Sequence, residues 1–147
     1  MLDFTGIDHN KAYISHAKKK FGGHFIADDI IELDRHLNGA RYNYIVICGV
    51  LHHVESRCVS NPMPKLRTYL QPEGKIIIID HVYLNSNGIS LLNKILLKLD
   101  RGSFMRGKSD YRDLFKDFTL LSYKQFNIQI GSIVLWSSLN RIVLQKP

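Results

Sequence analysis

Two adjacent histidines, His52 and His53, follow an apolar run that ends at Cys48, and the chain's chemistry is expected there. The run Tyr44 to Cys48 is unbroken and rich in β-branched residues, which suits a strand buried mid-sheet on both faces. Gly49 breaks the run, so Leu51, His52 and His53 fall just past the strand's carboxyl end, where open α/β sheets bind ligands. An imidazole, with an ordinary pKa of about 6.5, can act there as a general base. Asp80, His81 and Tyr83 stand in the same relation to the strand Lys75 to Ile79 and are equal candidates for touching a substrate. The bland alternative is that one imidazole packs against the next helix while the other faces solvent. A metal site built from His52, His53 and His81 lacks a fixed helical spacing such as HExxH, so none is expected.

The elements that must position these residues read as alternating strands and helices. A first strand, Asp3 to Ile7, ends in Asp8, and Asn10 can cap a helix carrying Ile14, Ala17 and Phe21 on one face. Lys18, Lys19 and Lys20 fall in that helix's last turn, where cations offset the dipole, and Gly22-Gly23 supplies its stop. A second strand, His24 to Ala27, ends at Asp28-Asp29 and leads into a short helical turn with Ile30, Ile31, Leu33 and Leu37, then the break at Asn38-Gly39. After the strand ending at Cys48, a helix is predicted from Met63 to Leu70, with Pro64 in its first turn. The turn Gln71-Pro72-Glu73-Gly74 feeds the strand Lys75 to Ile79, and a final antiparallel pair spans about Thr119 to Ile130 and Trp136 to Gln145. Asp at a strand end is often only a cap or turn former, and that reading stays open for Asp8 and Asp28 taken singly.

Composition bounds the class. The 147 residues suit one modest domain, and 45% hydrophobic with 22% charged residues is ordinary for a globular chain. No window reaches the roughly 18 consecutive apolar residues of a membrane span, and no signal-peptide pattern opens the chain, so a cytoplasmic protein is expected. Cys48 and Cys58 form no CxxC or zinc spacing and read as packing residues in a reducing compartment. The net charge of +7 is uneven, with +1 over residues 1–74 and +6 over residues 75–147. Such a field favours an anionic acceptor or a membrane surface, yet a solvated face that keeps the protein soluble is the commoner cause, and no strong nucleic-acid signal stands out.

Four pieces in order, GID at Gly6 to Asp8, ADD at Ala27 to Asp29, GVLHHV at Gly49 to Val54 and LQPEGKIIIID at Leu70 to Asp80, resemble the class I S-adenosylmethionine-dependent methyltransferases. The resemblance covers nearly the whole chain, since the closing hairpin fits the one that ends that fold. It implies an α/β, Rossmann-like sheet, mostly parallel with a C-terminal antiparallel hairpin, in a single domain over 1–147 with a helical insertion at about 86–118. By resemblance, Asp8 hydrogen-bonds the ribose hydroxyls of S-adenosyl-L-methionine, and an ionised carboxylate can accept two such bonds. Asp28, or Asp29 if the register shifts by one, accepts from the adenine amino group, with Ile30 beside the ring and Leu51 near the cofactor. His52, His53 and Asp80 then lie where the methyl group meets its acceptor. Because the cofactor brings the reactive carbon, the protein mainly supplies alignment and, for a hydroxyl acceptor, a base. The segment RG-FMR-Y, at Arg101, Gly102, Phe104 to Arg106 and Tyr111, is also similar to methyltransferases of bacterial surface-polysaccharide type, which points to a small-molecule or glycan-like acceptor.

The chain departs from that family at two places. The family's opening strand and its glycine-rich E/D-x-G-x-G-x-G turn are missing, so the domain reads as truncated at its N-terminus. That strand would lie between the one ending in Asp8 and the one ending in Cys48. Unpaired buried backbone groups cost on the order of 1–3 kcal/mol each, so either Phe4 to Ile7 pairs directly with Tyr44 to Cys48 or the sequence is a fragment. A non-catalytic remnant or partner-binding subunit is the alternative function, and a dinucleotide oxidoreductase is disfavoured because it too needs a glycine-rich turn. Secondly, Ile89 to Leu99 reads as an apolar helix with Lys94 and Lys98 four apart. It either closes over the acceptor pocket or lies against a membrane surface. Arg101, Arg106, Lys108 and Arg112 either grip an acidic group of the acceptor or are solvated, and Ser109 caps a helix over Asp110 to Asp117. Oligomeric state is not readable.

Overall fold

The computed structural model describes residues 3–37, 39–81, 103–130 and 133–147, of which 127–130 and 133–138 by backbone alone. The predicted helix over 89–99, Tyr83 and Arg101 lie outside the described residues. The chain forms two compact units, Met1–Ala40 and Arg41–Pro147.

In the first unit, β1 (Thr5–Asp8) and β2 (His24–Ala27) pair in parallel, with α1 (Lys11–Phe21) between them in sequence. Asn10 caps α1 as expected: its side chain accepts from the N–H groups of Ala12 and Tyr13 at 3.0 and 3.3 Å. Gly22 and Gly23, at φ +62° and +98°, turn the chain into β2 in a region that side-chain-bearing residues rarely adopt. A 3-10 turn at Ile30–Glu32 and the single helical turn α2 (Asp34–Leu37) follow.

In the second unit, β3 (Tyr42–Cys48), β4 (Leu70–His81), β5 (Thr119–Ile130) and β6 (Ile133–Gln145) form one sheet in the order β3-β4-β6-β5. β3 and β4 are parallel, while β6 runs antiparallel to both β4 and β5, as the closing hairpin requires. Between β3 and β4 lie a 3-10 turn at Leu51–His53, the short α3 (Ser56–Val59) and α4 (Pro62–Lys65), and a second 3-10 turn at Leu66–Tyr69. The single helix expected from Met63 is thus two short pieces. Strand β4 starts at Leu70, earlier than expected, and absorbs the turn at Pro72-Glu73 as an irregularity in its pairing with β3. A Cβ on Gly74 would stand 2.9 Å from the Tyr42 carbonyl oxygen, so only glycine fits that crossing.

The core lies on one face of this sheet. Register places Ile76 opposite Leu144, Ile78 opposite Ile142, and Asp80 opposite Asn140, and all six side chains are buried. Leu51, Val59, Met63, Leu66 and Leu70 are buried in the same unit, and complete burial of one such aliphatic side chain contributes about 1.5–3 kcal/mol. α5 (Lys108–Leu114) adds buried Tyr111, followed by Phe115 and Phe118. It starts before the expected Ser109: Gly107 is the cap residue, and Asp110 accepts the Gly107 N–H at 2.7 Å.

Three expectations are corrected. β1 pairs only with β2, and β3 only with β4, among the described residues, so Phe4 to Ile7 does not pair with Tyr44 to Cys48. Among the described residues β3 is an edge strand, not a mid-sheet one, and one of its faces is uncovered, with Tyr44 and Val46 60% and 59% exposed. Cys48 and Cys58 are exposed free thiols and not packing residues, Cys48 because it shares that uncovered strand. No helix among the described residues is long and apolar enough to cross a membrane.

Candidate active site

The carboxyl ends of β3 and β4 bring His52 and Asp80 together. Asp80 closes the buried row of β4 with no exposed surface, a costly place for a carboxylate unless donors surround it. Three do. Its Oδ2 accepts the backbone N–H of His52 at 3.1 Å, its Oδ1 accepts the His81 N–H at 2.9 Å, and Oδ1 also meets Nδ1 of the His52 ring. A carboxylate acceptor at Nδ1 keeps the proton on that nitrogen and makes Nε2 the basic one.

His52 is only 2% exposed, whereas His53 is exposed and stacks on it with ring centroids 3.9 Å apart. His81 meets the His52 ring edge-on, with centroids 4.6 Å apart. The two histidines therefore differ in kind: His52 is bound to Asp80 inside the unit, and His53 presents a ring to solvent. Two more buried polar groups belong to this unit. The Tyr111 hydroxyl and both polar atoms of the Asn140 amide have no hydrogen-bond partner among the described residues, and burial together with the Asp80 charge pushes the Tyr111 pKa up.

The turn that carries His52 is held by a residue whose type suggested either a grip on an acceptor's acidic group or a solvated surface. Arg106 is buried, and its guanidinium donates to the carbonyls of Leu51 and Val54, the latter at 2.6 Å, and to Ser56 Oγ at 3.1 Å. The Phe104 N–H donates to the His52 carbonyl at 3.0 Å. With its donors spent on the chain's own backbone, Arg106 is a clamp and not an anion grip. Lys108 lies over the Tyr123 ring at 5.1 Å, and Arg112 is exposed. No sequence signal separates a buried backbone clamp from a surface arginine.

The remaining candidates sit as follows. Asp8 and Asp28 end adjacent parallel strands on one rim of the small sheet, and the Asp28 N–H donates to the Asp8 carbonyl at 3.2 Å. Asp8 Oδ1 accepts the Asn10 N–H at 2.7 Å, and its side chain is 42% exposed. Asp28 is more occupied: it accepts the Asp29 N–H at 2.8 Å and meets His36 Nε2 at 2.6 Å, and these bonds hold its carboxyl below the usual range. Asp29 caps the 3-10 turn by accepting the Ile31 N–H, and Ile30 beside it is half-buried. Leu51 is fully buried in the second unit's core, so its side chain offers no surface. Among the described residues no group of three or more His, Cys, Asp or Glu side chains could hold a metal ion.

No protein-family profile and no curated protein sequence matches this chain. Solved structures do. TehB from Haemophilus influenzae superposes with a TM-score of 0.68 at 16% identity, over 99% of this chain and 50% of its own. N-methyltransferase NodS from Bradyrhizobium japonicum WM9, in complex with S-adenosyl-L-homocysteine, gives 0.71 at 14% identity over 99% of this chain and 67% of its own. Magnesium protoporphyrin IX methyltransferase from Synechocystis PCC 6803, also with bound S-adenosyl-L-homocysteine, gives 0.67 at 14% over 97% and 64%. The chain thus spans between half and two thirds of these three proteins. With parallel pairs β1–β2 and β3–β4 and an antiparallel β6 beside β4, the chain has the class I S-adenosylmethionine-dependent methyltransferase fold.

Proposed function

We propose that this chain binds S-adenosyl-L-methionine and takes part in methyl transfer to a small-molecule or glycan-like acceptor. The observation that carries the reading is the buried Asp80–His52 pair, with His53 stacked on it, at the carboxyl ends of parallel strands in a methyltransferase fold. The donor chemistry of the first unit suits the cofactor: Asp8 has a part-exposed carboxylate whose Oδ2 makes no hydrogen bond among the described residues and can accept from ribose hydroxyls. Asp28 would receive the adenine amino group while keeping its bond to His36, and Ile30 offers apolar surface beside it. When bound, the cofactor supplies an electrophilic methyl carbon on a sulfonium.

This chain's own residues would then manage the acceptor. Asp80 fixes the plane of the His52 ring, and that ring supports His53, which takes the proton from the acceptor's hydroxyl or amine as the new bond to carbon forms. His53 is the catalytic base in this scheme, and His52 and Asp80 are positioning residues. Calorimetric titration with S-adenosylhomocysteine tests the reading. Saturable heat that Asp8→Ala abolishes is expected; unchanged affinity in that variant overturns the assignment of Asp8. No heat with the chain folded would favour a second reading, a binding subunit without catalysis.

A further inference from the structure

At the end of the second unit's sheet opposite His52 and Asp80, a cavity of about 400 Å³ is lined by Arg41, Pro64, Arg67, Thr68 and Lys146. Topology gathers these residues from three places. Arg41 precedes β3, Pro64, Arg67 and Thr68 lie on the segment that enters β4, and Lys146 follows β6, which ends beside the start of β4 because it runs antiparallel. Three cations therefore share one cavity whose lining holds no carboxylate. Elsewhere arginines on exposed turns find acids: Arg35 meets Glu32 at 3.1 Å and Arg57 meets Glu55 at 2.8 Å. Arg67 and Lys146 have no acidic partner among the described residues, although both are half-buried. Glu73, near them in the fold, accepts instead from Gln145 at 3.1 Å.

From this arrangement we infer an anion site for a small phosphate-bearing ligand, separate from the methyl-transfer centre. Like charges held around one concavity repel, and a dianion between them converts that repulsion into attraction. The Arg67 guanidinium fork and the Lys146 ammonium supply the planar and point-like donors that phosphoryl oxygens take. Thr68 adds shape but no donor, since its hydroxyl donates to the Lys65 carbonyl at 2.7 Å. A single inorganic phosphate would not fill the space, which is of the size that holds small organic ligands, so a phosphomonoester or diphosphate of a small molecule fits better. A longer polyanion suits it less, because the cations surround one cavity and do not follow a stripe.

Backbone amide NMR of the whole chain, titrated with sodium pyrophosphate and separately with sodium phosphate at constant ionic strength, tests the site. Saturable shifts at residues 41, 64–68 and 145–146 are expected, with pyrophosphate binding more tightly. Arg67→Ala and Lys146→Ala should each weaken binding at least tenfold, while Lys116→Ala, an exposed control, should not. Retained affinity in both cavity variants overturns the site, as do unsaturable shifts spread over Lys18–Lys20 and other surface lysines, which would mark screening by salt. His52→Ala, in contrast, should leave pyrophosphate binding intact, so this site and the methyl-transfer reading fail separately.

Discussion

Asp80 holds His52 twice, by its backbone N–H at 3.1 Å and by its ring nitrogen Nδ1, across 28 positions of sequence. Removing the acid strands these two donors and the His81 N–H at a fully buried position. Asp80→Ala should therefore cost about 3 kcal/mol of stability, in the range for breaking a buried charged pair from one side. Asp80→Asn keeps the size and one acceptor oxygen and should cost less, about 1–2 kcal/mol. Urea unfolding at unchanged slope checks both, and equal midpoints for wild type and Asp80→Ala would show that the pair carries no stability.

Arg106 holds the turn around His52 through two backbone carbonyls and the Ser56 hydroxyl. A lysine cannot fork between those acceptors, so Arg106→Lys should be nearly as damaging as Arg106→Ala, at about 2–3 kcal/mol. Hydrogen exchange should quicken at Phe104 and His53 in both variants before it does along β4. Undisturbed exchange in the lysine variant would reduce the clamp to a point charge.

The buried Tyr111 hydroxyl meets no hydrogen-bond criterion among the described residues but feels the Asp80 carboxylate, so Tyr111→Phe should change stability by no more than about 1 kcal/mol. Its pKa is raised above the ordinary 10.0 by burial and by Asp80. The stability linked to that shift is whole below pH about 10 and falls as the pH rises further, because the unfolded chain loses the proton first. Absorbance at the phenolate band should show one tyrosine fewer ionising in native wild type than in the unfolded chain, and Tyr111→Phe should erase that difference.

Asp28 titrates below its ordinary 3.8, chiefly through its bond to His36 and then through the Asp29 N–H. A depressed carboxylate contributes stability at pH values above the unfolded pKa, and the contribution is lost as pH falls through the lower folded one. His36→Ala should move the Asp28 carboxyl resonance midpoint back toward 3.8, followed by carbon NMR across pH 2 to 6. No movement would mean that the backbone bond alone holds it down.

Much of this fold was legible because strand ends were marked by residue type. Asp8, Asp28 and Asp80 close β1, β2 and β4 or follow them at once, and Asn10 and Gly22 bound α1 within a residue of expectation. The His52–Asp80 contact was foreseen only as a neighbourhood, because two strand ends can be matched from sequence while the rotamer joining them cannot. The role of Arg106 was missed because it acts by burial, and burial of a polar residue has no local signature. The error over β3 has another cause. An all-apolar run states what a strand would like to touch, not whether a neighbour exists to touch it.

That uncovered margin has a colloidal consequence. Among the described residues no strand pairs with the outer side of Asn43 to Cys48, and this stretch carries no proline and no charged side chain to discourage a like rim from docking. Concentrated solutions of this chain should therefore zip together there, and the onset should move to higher concentration when Val46 becomes lysine, a gatekeeper facing the solvent.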